Sequence, residues 1–400
     1  MKISQRAQAI SPFLAMEFGK HAAELEAAGH HVIRLNLGEP DFGAPPAVRA
    51  ELQRIAADTA MPYTGALGLP ALREAIAGFY QQAHGLSLNP ERVVVTAGAS
   101  AALLLLTAAL VDPGDEVLVG DPSYPCNRQF LSGFGADVRL VPTDARSRFQ
   151  LDLAAVQRHW RARTRGLMIA TPSNPTGTSV PPAELAAICD WARAHGAWRI
   201  VDEIYLNLSD ADADSASAGH AAPPTILAAD PGACVINSFS KYFGMTGWRL
   251  GWAVVPDELV PVMERLAQNY YICASTPAQM AALACFTPDS IAVCEARKRE
   301  FGERRALVLQ GLADIGLHVP VPPDGAFYVY IDVSSTGLDA MQFCERALQE
   351  AHVALTPGHD FGVCSAKAHV RLSYAASKAD LTEGLARLTA FLKRLRDDQR

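Results

Sequence analysis

Short apolar runs alternate with longer amphipathic stretches through the middle of the chain, and this pattern predicts strands separated by helices. The expected strands are 92–96, 116–120, 138–141, 166–170, 198–201, 234–237 and 250–255. The expected helices between them are about 101–110, 153–162 and 183–194. Elements in this order form a mostly parallel sheet with helices on both faces, an α/β fold. Ligands of such sheets bind beyond the carboxyl ends of the strands.

Helical patterns flank this central region. Residues 1–30 are amphipathic, 70–84 form a helix opened by a proline, and 256–311 form a long helical region. Residues 209–224 are rich in Ser, Ala and Asp and end in prolines. We expect a surface loop there, with no assigned function.

The length of 400 residues exceeds the ~250–300 residues at which one hydrophobic core stops growing, so we expect two domains. A large domain at 48–285 is expected to contain the sheet, and a smaller α+β domain is expected at 286–400. The N-terminal segment 1–47 is expected to join the small domain.

Composition narrows the class of protein. Half of the residues are hydrophobic and the net charge is −7, which is typical of a soluble globular protein and argues against a nucleic-acid surface. No run reaches the ~18 continuous apolar residues of a membrane span, and the polar start of the chain does not resemble a signal peptide. The eight cysteines are scattered without a Cys-x-x-Cys motif. We therefore expect buried free thiols, no metal site and a cytoplasmic location.

One stretch combines groups that suit covalent chemistry on a phosphorylated ligand. The apolar run 234–237 leads into Ser238, Ser240 and Lys241, and Arg249 follows eight positions after the lysine. An amine can form a Schiff base with a carbonyl, and hydroxyls with a guanidinium can hold a phosphate beside it. From these residues alone, an ordinary solvated lysine is an equally good interpretation.

Other polar residues follow predicted strands. The turn 98–100 lies between a strand and a helix, where backbone N–H groups suit an anion. Asp202 ends a strand and needs a partner, which a structural salt bridge could supply. The turn at Asn174 contains two prolines, and we expect the Asn174–Pro175 peptide to be cis. Arg371 lies among apolar residues and must be paired, and a guanidinium can fork onto a carboxylate.

The Ser-Phe-Ser-Lys segment, with its arginine in the frame Gly-Trp-Arg-Leu-Gly-Trp, resembles the cofactor-anchoring segment of class I/II aminotransferases. These are fold-type I enzymes that use pyridoxal 5′-phosphate (PLP). The segments that resemble the family's other motifs, in order, are 37–41, 63–73, 98–100, 121–125, 171–177, 202–205, 323–330, 356–362 and 369–375. The resemblance implies the fold-type I architecture, with a large, mostly parallel domain and a smaller α+β domain.

The resemblance also implies a role for each matching residue. Lys241 would carry PLP and move protons, Asp202 would face the pyridine nitrogen, and Tyr124 would stack on the ring. Tyr205 and Asn174 would donate to the phenolic oxygen. The residues implied for the phosphate are Gly98, Ala99, Ser100, Ser238, Ser240, Arg249 and Tyr63 of the partner subunit. The residues implied for the substrate are Gly38, Asn174 and Arg371, of which the arginine grips the α-carboxylate.

Some of these residues also have simpler interpretations. Taken singly, Tyr124 is more commonly explained as a packing aromatic and Gly38 as a plain turn glycine, and Tyr63 could simply pack at a loop. Glu203 is expected to face away from the site.

The implied function is transfer of an amino group between an L-amino acid and a 2-oxo acid by a ping-pong mechanism, in a homodimer with shared active sites. A PLP-dependent C–S β-lyase or synthase and a non-catalytic PLP-binding sensor are the alternatives. Ser100 stands where aspartate aminotransferases of this subgroup often have a lysine that reads the distal carboxylate. The resemblance therefore favours a neutral donor, alanine-like or broader, and the residues do not identify donor, acceptor or pathway.

Overall fold

A computed structural model of the protein describes residues 1–58, 60–210 and 222–398. Within them the strands are β1 (Ile33–Arg34), β2 (Val93–Thr96), β3 (Glu116–Asp121), β4 (Asp137–Pro142), β5 (Thr164–Ala170), β6 (Trp198–Asp202), β7 (Cys234–Ser238), β8 (Gly251–Val254), β9 (Tyr328–Asp332), β10 (Val353–Ala354), β11 (Thr356–Pro357) and β12 (His369–Ser373). The α-helices are α1 (Gln5–Ala9), α2 (Leu14–Ala27), α3 (Pro46–Asp58), α4 (Pro70–His84), α5 (Ala99–Leu110), α6 (Pro125–Gly133), α7 (Leu153–His159), α8 (Pro182–Ala194), α9 (Val260–Tyr270), α10 (Thr276–Ala282), α11 (Pro288–Asp314), α12 (Ala340–Ala351) and α13 (Lys378–Asp398). Of the loop expected at 209–224, residues 211–221 lie outside the described ranges.

The largest sheet has seven strands in the order β2-β8-β7-β6-β5-β3-β4. Strand β8 is antiparallel to both of its neighbours, and the other pairings are parallel. Alternate residues of β2 enter two separate apolar clusters, Val94 in one and Val95 in the other. Helices α5 and α9 contribute to the first cluster, and α4 and α8 to the second. The predicted α/β fold with helices on both faces is therefore confirmed.

Two predicted helical regions are interrupted in the structure. Residues 1–30 form α1 and α2, because Pro12 lies between them and a proline disfavours helix at its own position and the one before. Residues 256–311 contain α9, α10 and most of α11. Between α9 and α10, Ile272 has a φ of 69°, a left-handed conformation that ends the helical path.

A second sheet joins distant parts of the chain. It contains β11, β12 and β9 in antiparallel order, and a separate pair is formed by β1 and β10 in parallel. Helices α12 and α13 contact each other, and both contact β10. The strand nearest the N-terminus therefore packs among C-terminal elements.

The start of α2 is held by a residue far away in sequence. Phe13 precedes the helix and provides no capping side chain. Instead, the Asp360 carboxylate accepts hydrogen bonds from the Leu14 N–H at 2.9 Å and the Ala15 N–H at 3.1 Å. Asn36 also donates from Nδ2 to the Ala15 carbonyl at 2.9 Å. The Asp360 contacts satisfy two N–H groups at the start of α2 that would otherwise be unpaired, and they fix the N-terminal segment against the loop after β11.

All eight cysteines lie in the described residues and have free thiols. Five are buried, as predicted, but Cys364 is exposed because it lies in the irregular segment before β12. No helix within the described ranges combines the length and apolarity needed to cross a bilayer.

Replacing Asp360 by Ala should lower the free energy of unfolding by about 1–3 kcal/mol, because the buried Ala15 N–H and the partly buried Leu14 N–H at the start of α2 lose their acceptor. Urea unfolding of the protein without added ligand measures this change. Asp397→Ala, at an exposed position in α13, is the control and should change stability by less than about 0.5 kcal/mol. Equal effects of the two substitutions would show that Asp360 does not anchor α2.

Candidate active site

A cavity of about 280 Å³ lies where loops after the strands of the large sheet meet the small sheet and the N-terminal segment. Residues predicted from the sequence make up much of its wall: Gly38, Ala99, Ser100, Tyr124, Asn174, Asp202, Tyr205, Ser238, Ser240, Lys241, Arg249 and Arg371. Gly98 immediately precedes this wall at the start of α5. Tyr63 is the exception, because its side chain is 77% exposed and does not line the cavity of its own chain.

Lys241 reaches the cavity from a turn after the buried strand β7. The turn is closed by a hydrogen bond from the Met245 N–H to the Phe239 carbonyl at 3.0 Å, and Phe239 is fully buried against Trp252. The lysine Nζ donates to the Gly38 carbonyl at 2.6 Å. Burial lowers the pKa of Lys241 to about 8. The interpretation of Lys241 as an ordinary solvated side chain is therefore wrong.

Hydrogen-bond donors cluster beside the lysine. The Ser238 hydroxyl lies 2.9 Å from the Ser240 hydroxyl and accepts from the Ser240 N–H at 3.0 Å. Arg249 adopts a left-handed backbone with φ 52°, and its Nη1 donates to the Thr246 carbonyl at 2.8 Å. Gly98 has φ 84°, and a Cβ there would lie 2.7 Å from the arginine Nη2. Glycine at this position leaves room for the guanidinium beside the first turn of α5, and the donors gathered there suit an anion.

Asp202 ends β6 inside the cavity and is 5% exposed. Its Oδ1 accepts from the Ile204 N–H at 3.1 Å, and no ion pair within the described residues involves it. Burial raises the pKa of the Asp202 carboxyl to about 6, although the Ile204 N–H and the charge of Lys241 favour ionisation. The alternative that Asp202 serves a structural salt bridge is therefore wrong.

The neighbouring carboxylate has a structural environment. Glu203 faces away from the cavity, as predicted, and accepts from the Thr225 hydroxyl at 2.6 Å and the Ile226 N–H at 2.8 Å. Burial raises the pKa of the Glu203 carboxyl to about 7.

Arg371 lies in β12, and 2% of its surface is exposed. Its Nη1 donates to Asn174 Oδ1 at 2.8 Å, and its Nη2 donates to the Asn36 carbonyl at 2.6 Å. The guanidinium carbon is 4.6 Å from the ring centre of Tyr328 and 4.8 Å from that of Phe361. Within the described residues the guanidinium has no carboxylate partner, and its Nε is unpaired. A buried cation with this surplus of donors suits an anionic ligand.

The turn at Asn174 is tight. The Asn174–Pro175 peptide is cis, as predicted, and the Thr171–Pro172 peptide is cis as well. Because Asn174 Oδ1 accepts from Arg371, the side-chain amide N–H groups remain for the cavity.

Gly38 has a packing requirement that a plain turn would not impose. A Cβ at this position would lie 1.8 Å from the Tyr328 hydroxyl oxygen, so no side chain fits. The Tyr328 hydroxyl in turn lies 2.8 Å from the Tyr205 hydroxyl.

Tyr124 is half-buried, and its ring meets the ring of Phe13 edge-on, with 6.1 Å between the ring centres.

Sequence reasoning missed several residues of the cavity wall. Tyr328 lies within the segment 323–330 that matched a family motif, but no role was assigned to it. Phe13 and Met16 also line the cavity, and nothing in their local sequence indicates this. They reach it because Asp360 holds the start of α2, a contact between residues nearly the whole chain apart.

Comparison with known proteins identifies the family. A family model described as aminotransferase class I and II matches residues 30–388. The chain is 39% identical over 385 residues to the valine–pyruvate aminotransferase of Mycobacterium tuberculosis, covering 96% of this chain and 97% of that one. It is 37% identical over 397 residues to the aspartate/prephenate aminotransferase of Thermus thermophilus, covering 98% and 99%.

A solved structure supports the same conclusion. The crystal structure of an aminotransferase from Mycobacterium tuberculosis matches with a TM-score of 0.93 and 38% identity, over 98% of this chain and 100% of that one. The chain therefore belongs to the class I and II aminotransferase family, and it is an enzyme that transfers amino groups.

Proposed function

We propose that this enzyme binds PLP at Lys241 and moves an amino group between an L-amino acid and a 2-oxo acid in two half-reactions. The observation that carries the proposal is the shared cavity of Lys241, Asp202 and Arg371. It combines an amine of lowered pKa, a buried carboxylate without an ion pair in the described chain, and a guanidinium with spare donors.

The residues of the cavity fit PLP. The Asp202 carboxylate has a single backbone donor, so a protonated pyridine nitrogen would satisfy it. Ser238, Ser240, Arg249 and the first turn of α5 together offer hydroxyl, guanidinium and backbone donors for a phosphate.

The chain's own residues would then control charge and protons. When bound, PLP supplies a ring that accepts the electron pair left at the amino-acid Cα. The Lys241 amine is suited to take and return the Cα proton, because a pKa of about 8 lies near neutral pH. Asp202 would hold the proton on the ring nitrogen, and Asn174 and Tyr205 would donate to the phenolic oxygen. Arg371 would orient the α-carboxylate of the substrate.

The first test concerns Lys241. Borohydride reduction of the PLP-treated protein should label the peptide that contains Lys241. The rate of PLP attachment to the PLP-free protein should rise with pH and level off near pH 8, because only the neutral amine attacks a carbonyl and burial lowers the pKa of Lys241 to about 8. An unperturbed lysine would keep gaining rate up to about pH 10.4.

Two variants control this measurement. Lys241→Ala should remain folded by circular dichroism but take no label and show no turnover. Lys393→Ala, at an exposed position, should match the wild type. Label on another side chain, or turnover by Lys241→Ala, would rule out the proposed tether.

We further propose that the donor has an uncharged side chain. Phe13, Met16, Leu37 and Leu103 are apolar residues of the cavity wall, and Ser100 adds no charge to it. Related enzymes differ in substrate, since the two relatives compared above are named for valine and pyruvate and for aspartate and prephenate. The apolar residues of the wall favour an uncharged donor such as valine over a dicarboxylic donor such as aspartate.

With pyruvate as acceptor for valine and aspartate, and 2-oxoglutarate as acceptor for alanine, kcat/KM for either neutral donor should exceed that for aspartate by about 10-fold or more. The reason is that a buried carboxylate without a partner costs about 1.5–3 kcal/mol. Ser100→Lys should reduce this preference for neutral amino acids, because the lysine ammonium can pair with the side-chain carboxylate of aspartate. Ser100→Met is the uncharged control of similar length. A wild type that prefers aspartate, or equal effects of Lys and Met, would contradict the assignment.

We propose that the enzyme is a homodimer whose partner contributes Tyr63. Met61, Tyr63, Tyr270, Ile272 and Leu283 are exposed apolar residues on neighbouring loops and helices. The loop that carries Tyr63 is tied to α10 by hydrogen bonds from Thr276 to the Pro62 carbonyl and from Gln279 to Thr64. Such a patch is typical of a protein interface.

The double substitution Met61→Asp with Leu283→Asp should convert the dimer to a monomer and weaken PLP binding, because charges replace buried apolar contacts and the partner's tyrosine is lost. Light scattering after size-exclusion chromatography measures the mass. Val363→Asp, another exposed apolar position, should stay dimeric. A monomeric wild type at micromolar concentration would exclude this proposal.

We propose a domain division at 1–47, 48–285 and 286–400, with the first segment joined to the last. The pairing of β1 with β10 supports this division. Hydrogen exchange that opens the β9–β12 amides together with those of the seven-stranded sheet would argue against it.

The free thiols also support a cytoplasmic location. Disulfides found in protein isolated with thiol blocking would refute this location.

A further inference from the structure

Tyr328 contacts three parts of the cavity at once. It is 1% exposed, and its hydroxyl lies against Gly38, where a Cβ would come within 1.8 Å of it. Its ring supports the Arg371 guanidinium at 4.6 Å, and its hydroxyl lies 2.8 Å from that of Tyr205. The hydroxyl is therefore confined to one place and cannot turn away from Tyr205.

The two hydroxyls must divide their protons in one of two ways. Burial raises the pKa of both phenols, so each keeps its proton at neutral pH. Within the described residues neither hydroxyl has another hydrogen-bond partner. A hydroxyl has one proton to donate, so the one that donates to its neighbour has none left for a ligand. Tyr205 can donate into the cavity only while Tyr328 donates to Tyr205.

The surroundings of Tyr328 favour donation from its hydroxyl to the Tyr205 hydroxyl. The Arg371 guanidinium lies over the Tyr328 ring at 4.6 Å, and its charge lowers the pKa of both phenols. Burial raises the pKa of Tyr205 well above its usual value and that of Tyr328 by less, so the Tyr328 hydroxyl is the better donor of the two. An anionic ligand oxygen beside Tyr205 would reinforce the same order, because hydrogen bonds in a chain strengthen one another.

We propose that Tyr328 is a positioning residue that directs the Tyr205 hydroxyl proton toward the ligand. This inference rests on the proposed function, in which Tyr205 donates to the phenolic oxygen of PLP. Tyr328 itself does not need to touch the ligand.

The test measures the pH at which the visible absorbance of the PLP-loaded, substrate-free protein changes. That midpoint reports the proton at the Lys241 nitrogen, which is held more tightly when the phenolic oxygen carries more negative charge. Tyr205→Phe removes a donor to this oxygen and should raise the midpoint. Tyr328→Phe should raise it by about 0.4–1 pH unit, the effect of one hydrogen bond.

The decisive variant combines both substitutions. If Tyr328 acts through Tyr205, Tyr328→Phe causes no further shift once the Tyr205 hydroxyl is absent. Tyr330→Phe is the matched control, since Tyr330 lies two positions along β9, is equally buried and does not line the cavity. It should leave the midpoint and kcat unchanged.

Three results would overturn the inference. An unchanged midpoint in Tyr328→Phe with a raised KM for the amino acid would mean that the tyrosine only supports Arg371. If Tyr328→Phe shifts the midpoint equally with and without the Tyr205 hydroxyl, Tyr328 acts directly on the ligand. A wild type without a PLP absorbance band would overturn the proposed function as well. Of these three results, it is the only one that would.

Discussion

Three ionisable groups face one cavity without ion-pair partners in the described part of the chain, and the rest of the structure supports this costly arrangement. The Lys241 amine reaches only a backbone carbonyl, the Asp202 carboxylate only a backbone N–H, and the Arg371 guanidinium an amide and a carbonyl among its partners. Removing charges from water without pairing them is unfavourable. The pKa values of the lysine and the aspartate shift toward neutrality for this reason. The cavity is thereby ready for a ligand that brings complementary charges.

Small residues and distant hydrogen bonds keep these groups in place. Gly38 receives the lysine through its carbonyl and leaves room for Tyr328, while Gly98 leaves room for Arg249. The Asp121 carboxylate at the end of β3 accepts from the Val363 N–H at 3.1 Å, which binds the loop before β12 to the large sheet. Each contact joins segments that are far apart in sequence, so the cavity exists only in the folded chain.

Local chemistry made much of the fold predictable. The β-branched runs are buried strands of a mostly parallel sheet that is covered on both faces, which is why simple apolar stretches identified its strands. The helix 70–84 was predicted with its observed ends, from the proline that opens it. In the structure Gly85, with φ 68°, closes it. The region 256–311 was less predictable, since the left-handed Ile272 that divides it has no sequence signal.

The sequence by itself determined the candidate chemistry: Lys241 after an apolar strand, the turn at Asn174, the carboxylate of Asp202 and the arginine in β12. The first three follow or end strands of the large sheet, and parallel strands bring their carboxyl ends to one edge by geometry alone. The arginine instead lies within a strand of the small antiparallel sheet. Only the tertiary structure decided which groups are buried without partners, because burial depends on what packs above each residue. It also decided that Phe13, Met16 and Tyr328 complete the wall, since contacts such as that of Asp360 with α2 leave no periodic trace along the chain.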